Sequence, residues 1–134
     1  MKSFSKKQKD LFREWANYAD EDLEMASLAL AEGGPPNQIC FHAQQTAEKY
    51  LKAVIVLHGS TFEKSHQLRY LLERCCGHDP SFEELKDDAI YLTQFYIETR
   101  YPGDIPSFSK KNAERAHSAA SKIRKYVLEK VLRA

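Results

Sequence analysis

Long hydrophobic runs are missing from this 134-residue sequence, and the longest uninterrupted one is Ala53–Leu57. A membrane-spanning helix needs about 20 apolar residues in a row, so no spanning segment and no membrane partner are expected. The basic start, MKSFSKKQKDLF, has no apolar stretch behind its charges and does not read as a secretory signal. Cysteine is scarce: Cys40, Cys75 and Cys76 are odd in number, and two are adjacent. That gives no sign of a disulfide framework and points to reduced thiols in a cytoplasmic protein. Glycine is scarce too, and none of the five builds a phosphate loop, a GxGxxG turn or a nucleophile elbow. No stretch alternates with period two, so no sheet is expected. A net excess of charge is also absent. Lys+Arg number 20 against 19 Asp+Glu, net +1, which removes any simple argument from global charge to a polyanion.

That neutrality is a cancellation between blocks. Residues 1–14 carry a net +3, 15–36 a net −5, 37–80 a net +1, 81–109 a net −4 and 110–134 a net +6. The simplest expectation is an acidic first helix lying against a basic last one. The eight cations of residues 110–134 would then face a neighbouring helix rather than nucleic acid, so RNA is possible but not indicated.

What is present is helical periodicity. Leu11, Trp15, Tyr18/Ala19, Asp22, Met25/Ala26 and Ala29/Leu30 draw one face of a helix from about Lys6 to Ala31. Gly33-Gly34-Pro35-Pro36 ends it. Cys40, Ala43, Ala47, Tyr50/Leu51, Val54 and Leu57 mark a second helix, Pro36 to Leu57, closed by Gly59. Ser65 is placed to cap a short third helix, His66–Cys76. Ser81, with Glu84 three residues on, is placed to cap a fourth helix reaching about Arg100. Ser109 is placed to cap a last one, Lys110 to about Leu132, with Ala113, Ala116, Ala120, Ile123, Val127 and Val131 inward. Residues 1–134 therefore read as one all-α domain, an up-and-down bundle of about four long helices plus one short helix.

Few residues offer chemistry. Gln44, Glu48 and Lys52 share one stripe of the second helix, with Gln45 and Lys49 on a stripe beside it. On spacing alone this is a solvated face, with a Glu48–Lys52 pair contributing a few tenths of a kcal/mol. His66 stands at a helix start, either as a capping residue or as an imidazole aimed into a cleft. Arg100 and Tyr101 sit where a helix gives way to a proline loop. There a guanidinium either meets a phosphate or carboxylate ligand or fixes the loop to an internal carboxylate. Cys75-Cys76-Gly77-His78 suits a metal poorly, since adjacent thiols do not make separated ligand pairs, and no metal or cofactor is expected.

These segments resemble the HEPN domain family. Trp15, Ala19, Asp22, Leu23 and Ala26 resemble its first-helix signature, W-x3-A-x2-DL-x2-A. Residues 40–53, CFHAQQTAEKYLKA, are similar to its second-helix signature. His66-Gln67-Leu68 with Leu71 resembles its H-x-L-x2-L element, and Arg100-Tyr101-Pro102 its RYP loop. The resemblance implies an all-α bundle, usually a homodimer. It also implies a toxin–antitoxin or nucleotide-handling module often encoded beside a minimal nucleotidyltransferase. A polar cleft lined by Gln45, Glu48, Lys49, Lys52, His66, Tyr96, Arg100 and Tyr101 would bind a nucleotide or a partner's loop. Arg100 and Lys49 would hold phosphate, and Tyr96 or Tyr101 would stack on a base. Many HEPN proteins are metal-independent ribonucleases marked by R-x(4–6)-H. No arginine here has a histidine at that spacing, which disfavours RNA cleavage and expects no intrinsic catalysis. Should the protein be a divergent ribonuclease, His66 and Arg100 are the catalytic candidates. An obligate helical dimer without a small ligand is the remaining structural reading.

Overall fold

A computed structural model describes residues 3–96 and 102–133. Five α-helices follow one another: α1 (Lys6–Ala31), α2 (Pro36–Leu57), α3 (Leu68–His78), α4 (Lys86–Thr93) and α5 (Lys110–Arg133). Short 3-10 turns occupy Pro80–Leu85 and Pro102–Asp104. No strand occurs among the described residues. No described helix is long and apolar enough to cross a membrane.

The ends of the long helices follow from local chemistry. Ser5 and Gln8 form a reciprocal capping box at the start of α1. At its end the N–H of Gly34 donates to the carbonyl of Ala29 at 2.7 Å, with Gly33 at φ 72°. Only glycine adopts that left-handed conformation without a Cβ penalty. Gly59, at φ 74°, ends α2 in the same way, and Ser60 N–H donates to the carbonyl of Ile55. At α5, the Ser109 hydroxyl accepts from Asn112 N–H, and the Asn112 side chain accepts from Ser109 N–H.

Helix directions can be read from the contacts. Gly59, at the end of α2, lies against Gln8 at the start of α1, so α1 and α2 are antiparallel. Ser27 bonds His117, and Asp20 bonds Arg124, so α5 also runs antiparallel to α1. α2 is the central element, packed by α1, α3, α4 and α5. Its buried residues therefore go nearly all the way round: Ile39, Cys40, Ala43, Ala47, Leu51, Val54, Ile55 and Leu57 are all at most 2% exposed. A helix covered on every side needs tertiary cover rather than propensity to hold the β-branched Val54, Ile55 and Val56, which explains why this end resembles a strand in isolation.

Four details differ from the sequence reading. First, three helices are long and two are short. α4 starts at Lys86, because residues 80–85 form a 3-10 turn instead of the first turns of the helix, and it stops at Thr93 rather than near Arg100. Asp79, not Ser81, caps that turn, accepting Ser81 N–H. Pro80, which lacks an N–H, fits the position after the cap. The Ser81 hydroxyl instead accepts from Tyr126 Oη. Second, α3 begins at Leu68. Ser65 accepts from Gln67 N–H in a turn ahead of the helix, so His66 lies in the preceding extended segment. Third, the buried face at the start of α1 is shifted by one residue, from Leu11 and Trp15 to Phe12 and Ala16, and of the alternatives at 18/19 and 25/26 the alanines are the buried ones. Phe12, Ala16, Ala19 and Ala26 face inward with Asp22, whereas Tyr18 and Met25 face outward. Small alanines let α1 approach α2 closely, and helical spacing cannot choose between two adjacent apolar stripes.

Fourth, the charge blocks do not cancel by contact. Of the acids in residues 15–36, only Asp20 meets α5, through Arg124 at 2.8 Å. Asp22 is used by α2. Lys122 and Lys130 of α5 turn instead to Asp88 and Asp79. The guanidinium of Arg115 lies 3.8 Å from the centre of the Tyr91 ring.

Candidate functional site

The polar stripe of α2 faces inward. Gln44 is 0% exposed, Glu48 3% and Lys52 7%. Burying a carboxylate and an ammonium requires partners for every lone pair and proton, because each ion loses several kcal/mol of hydration. Glu48 has them. Its Oε2 accepts from Lys52 Nζ at 3.0 Å, and its Oε1 meets His66 Nδ1 at 3.0 Å and Gln44 Nε2 at 3.4 Å. Gln44 Nε2 also donates to the His66 carbonyl, while its Oε1 accepts from Gln45 at 2.7 Å. The Lys52 ammonium lies 5.4 and 5.3 Å from the ring centres of Trp15 and Phe62, two aromatic faces that exclude water from it.

A second carboxylate repeats the arrangement one face further round α2. Asp22 of α1 meets His42 Nδ1 at 2.9 Å through one oxygen and Lys49 Nζ through the other. Each carboxylate thus lies between an imidazole Nδ1 and a lysine of α2. Among the described residues no buried side-chain nitrogen or oxygen is left without a partner. A network satisfied throughout fixes the geometry of its members.

The outcome for chemistry is set by which ring nitrogen is occupied. An ionised carboxylate only accepts, so a neutral His66 carries its proton on Nδ1 and leaves Nε2 as the basic nitrogen. Its ring is stacked on Tyr96, with centroids 4.0 Å apart and planes 12° from parallel. His66 is therefore held at one edge by Glu48 and across one face by Tyr96, and its side chain remains 34% exposed.

The residues expected at this site are distributed as follows. Lys49 belongs to the neighbouring Asp22–His42 cluster, whereas Gln45, Glu48, Lys52, His66 and Tyr96 fall on one contiguous network. Glu48 and Lys52 form its buried part, not a solvated face. Lys49, 25% exposed, is ion-paired with Asp22. Lys52 is committed to Glu48. Arg100 and Tyr101 lie outside the described residues. Asp22, His42, Gln44, Trp15 and Phe62 also take part, and sequence reasoning did not assign them roles there. The available signal was Asp22, a carboxylate on an otherwise apolar helix face, which needs a buried cation. The cysteines take no part. Burial pushes Cys40 up to about 11 and raises Cys75 and Cys76 as well, so none is a ready thiolate. Cys75 donates to the Leu51 carbonyl and Cys76 to Glu83, in different directions.

The far end of the bundle carries another imidazole pair. His58 and His78 stack at 4.5 Å, with Phe4 edge-on to His58 and Ser60 bonded to His78. Burial, followed by repulsion from a charged His78, holds His58 below its ordinary value of 6.5, while Asp79 opposes this. The native state therefore prefers neutral His58, and the unfolded chain binds more protons below pH 6.5. Stability is complete above that pH and is lost as pH falls from it toward the lowered native value. The melting temperature should fall between about pH 7 and 5.5, ahead of carboxylate titration. His58→Phe, which keeps the stack without the charge, should flatten the decline. An equally steep decline in that variant assigns it elsewhere.

The HEPN domain matches residues 12–131. A Thermus thermophilus protein of known structure, TT1696, is similar at 30% identity and a TM-score of 0.72, over 89% of this chain and 97% of that one. The archaeal HEPN homologue ST0689 is similar at 25% identity and 0.72, over 90% and 97%. An HEPN domain protein of Thermotoga maritima is similar at 29% identity and 0.70, over 90% and 99%. A Methanocaldococcus jannaschii protein bearing the name "Putative toxin MJ1304" shares 41% identity over 46 residues, a match spanning 34% of this chain and only 30% of that protein. Since the domain match runs from the second turn of α1 to the last turns of α5 and takes in both carboxylate clusters, this chain belongs to the HEPN domain family.

Proposed function

We propose that this HEPN protein is a nucleotide-binding and interaction module of toxin–antitoxin type. In this reading it acts as a homodimer with a minimal nucleotidyltransferase supplied by another chain. The observation that carries the nucleotide half is the His66–Tyr96 stack backed by Glu48, an ordered aromatic platform, with the half-buried Lys49, paired to Asp22, on the adjoining stripe of α2. A base adds to such a platform by stacking, with little sequence preference. Lys49 and Arg100 supply cations for its phosphates, and Lys52 serves the fold. The toxin part rests on the name of the short M. jannaschii match and on the family.

Calorimetric titration with ATP, GTP and other nucleotides tests the reading. Binding is expected, weakened about tenfold or more by His66→Ala and by Lys49→Ala, the loss of one charge-assisted contact of about 1.5 kcal/mol. No heat and no shift in melting temperature with any nucleotide removes the nucleotide half.

One observation favours a second reading, a divergent ribonuclease. A carboxylate-backed imidazole with a free Nε2 suits proton transfer from a ribose hydroxyl. RNA cleavage abolished by both His66→Ala and Arg100→Ala would replace the first reading with this one.

A further inference from the structure

The outward face of α1 lacks a partner among the described residues. Tyr18, Met25 and Leu28 are 53%, 53% and 56% exposed. Spaced seven and three residues apart, they fall within about 80° of the helix circumference and form a single stripe. Glutamates are interleaved with it: Glu14, Glu21 and Glu32 fall within the same arc of the helix and Glu24 just beyond its edge, all four are exposed, and none is ion-paired among the described residues. No lysine or arginine occurs between Arg13 and Lys49. The basic helix expected to neutralise this block spends its paired cations mainly on Asp79 and Asp88 instead. The result is a face on which apolar side chains alternate with one sign of charge, on a helix otherwise packed against α2 and α5.

We infer that this stripe of α1 docks a basic amphipathic helical segment of a different protein. Tyrosine and methionine are well suited to anchor such a contact, and lysines or arginines interspersed on the partner would complement the four glutamates. A second copy of this chain fits poorly. A two-fold contact sets the same glutamates against themselves across the interface, and a head-to-tail contact onto α5 does not close. A basic amphipathic helix laid in this position meets apolar side chains and opposite charge side by side along α1. The inference concerns a different surface from the His66–Tyr96 platform and holds whether or not a nucleotide binds there.

The chain contains two methionines, Met1 and Met25, so methyl-labelled methionine gives a direct reporter of the stripe. The full-length protein is titrated with a helical leucine–lysine peptide of heptad pattern, and with the same peptide carrying glutamate in place of lysine. The Met25 methyl resonance should shift saturably with the lysine peptide, less so as salt is raised, and not with the glutamate peptide. Calorimetry on the variant Tyr18→Ser/Met25→Ser/Leu28→Ser should show binding of the lysine peptide reduced about tenfold or more. Three results overturn the inference. One is absence of binding by the wild type. Another is equal binding by the triple variant, which assigns the contact to charge alone. The third is a dimer of the free protein, seen by sedimentation, that the triple variant dissolves, which assigns the stripe to a second copy. A dimer unaffected by the triple variant supports the inference by placing self-association elsewhere.

Discussion

Glu48→Ala is expected to cost about 3–5 kcal/mol of folding stability, the usual consequence of removing one partner from a buried ion pair. The cost arises from what is left behind. Lys52, at 7% exposure, would keep its ammonium between Trp15 and Phe62 with no counter-ion, and Gln44 and His66 would lose their shared acceptor. For a chain of this size the melting temperature should fall by roughly 10–20 °C. Glu48→Gln preserves the shape but not the charge and should fall between wild type and alanine. The double variant Glu48→Leu/Lys52→Met removes both ions together. It should therefore be more stable than Glu48→Ala alone, because an apolar pair of similar volume carries no desolvation penalty. Urea unfolding of the set measures the coupling. A Glu48→Ala variant within about 0.5 kcal/mol of wild type would sink the claim, since that is the behaviour of a solvated surface position.

The misreading of this stripe shows where the sequence stops informing. Spacing of four along α2 establishes that Gln44, Glu48 and Lys52 share a face and that Glu48 and Lys52 can pair. Both hold in the structure. Spacing says nothing about what covers that face. The cover comes from Trp15 of α1, from Phe62 and His66 of the connection to α3, and from Tyr96 beyond α4, all distant in the chain. A polar residue on a central helix looks the same in sequence as one on an outer helix. The same limit explains Asp22. Its periodic position marked it as inward, and its partners His42 and Lys49 lie on the next helix.

Local chemistry was more legible. The bounds of α1, α2 and α5 follow from Ser5, the glycines at 33 and 59, and Ser109, because each cap is a contact within a few residues. The start of α4 was less so. Asp79 and Ser81 are both good capping residues, and Pro80 between them decides for Asp79 and a 3-10 turn. The charge blocks are correct as arithmetic, yet their neutralisation depends on which helices touch, and α1 meets α2 far more extensively than α5.

The second large effect is expected at Phe95, which links the fold to the candidate site. Phe95 is 0% exposed, just past the end of α4, and packs edge-on against Tyr91 at 5.2 Å and Phe108 at 4.8 Å. It thereby ties the end of α4 to the segment that enters α5. Its neighbour in sequence, Tyr96, stacks on His66. Phe95→Ala should cost about 3–5 kcal/mol through lost burial and the cavity left behind. Phe95→Leu should cost less than about 1.5 kcal/mol while loosening the two edge contacts that fix the backbone at Tyr96. The informative comparison sets Phe95→Leu beside Ile123→Val, a buried change in α5 expected to cost about 0.5–1.5 kcal/mol. If Tyr96 and His66 form a nucleotide platform, affinity should drop in Phe95→Leu and hold in Ile123→Val, although both remain folded to a similar degree. Equal affinity in the two variants would mean that the platform tolerates displacement of Tyr96, leaving His66 and its buried carboxylate to carry the site alone.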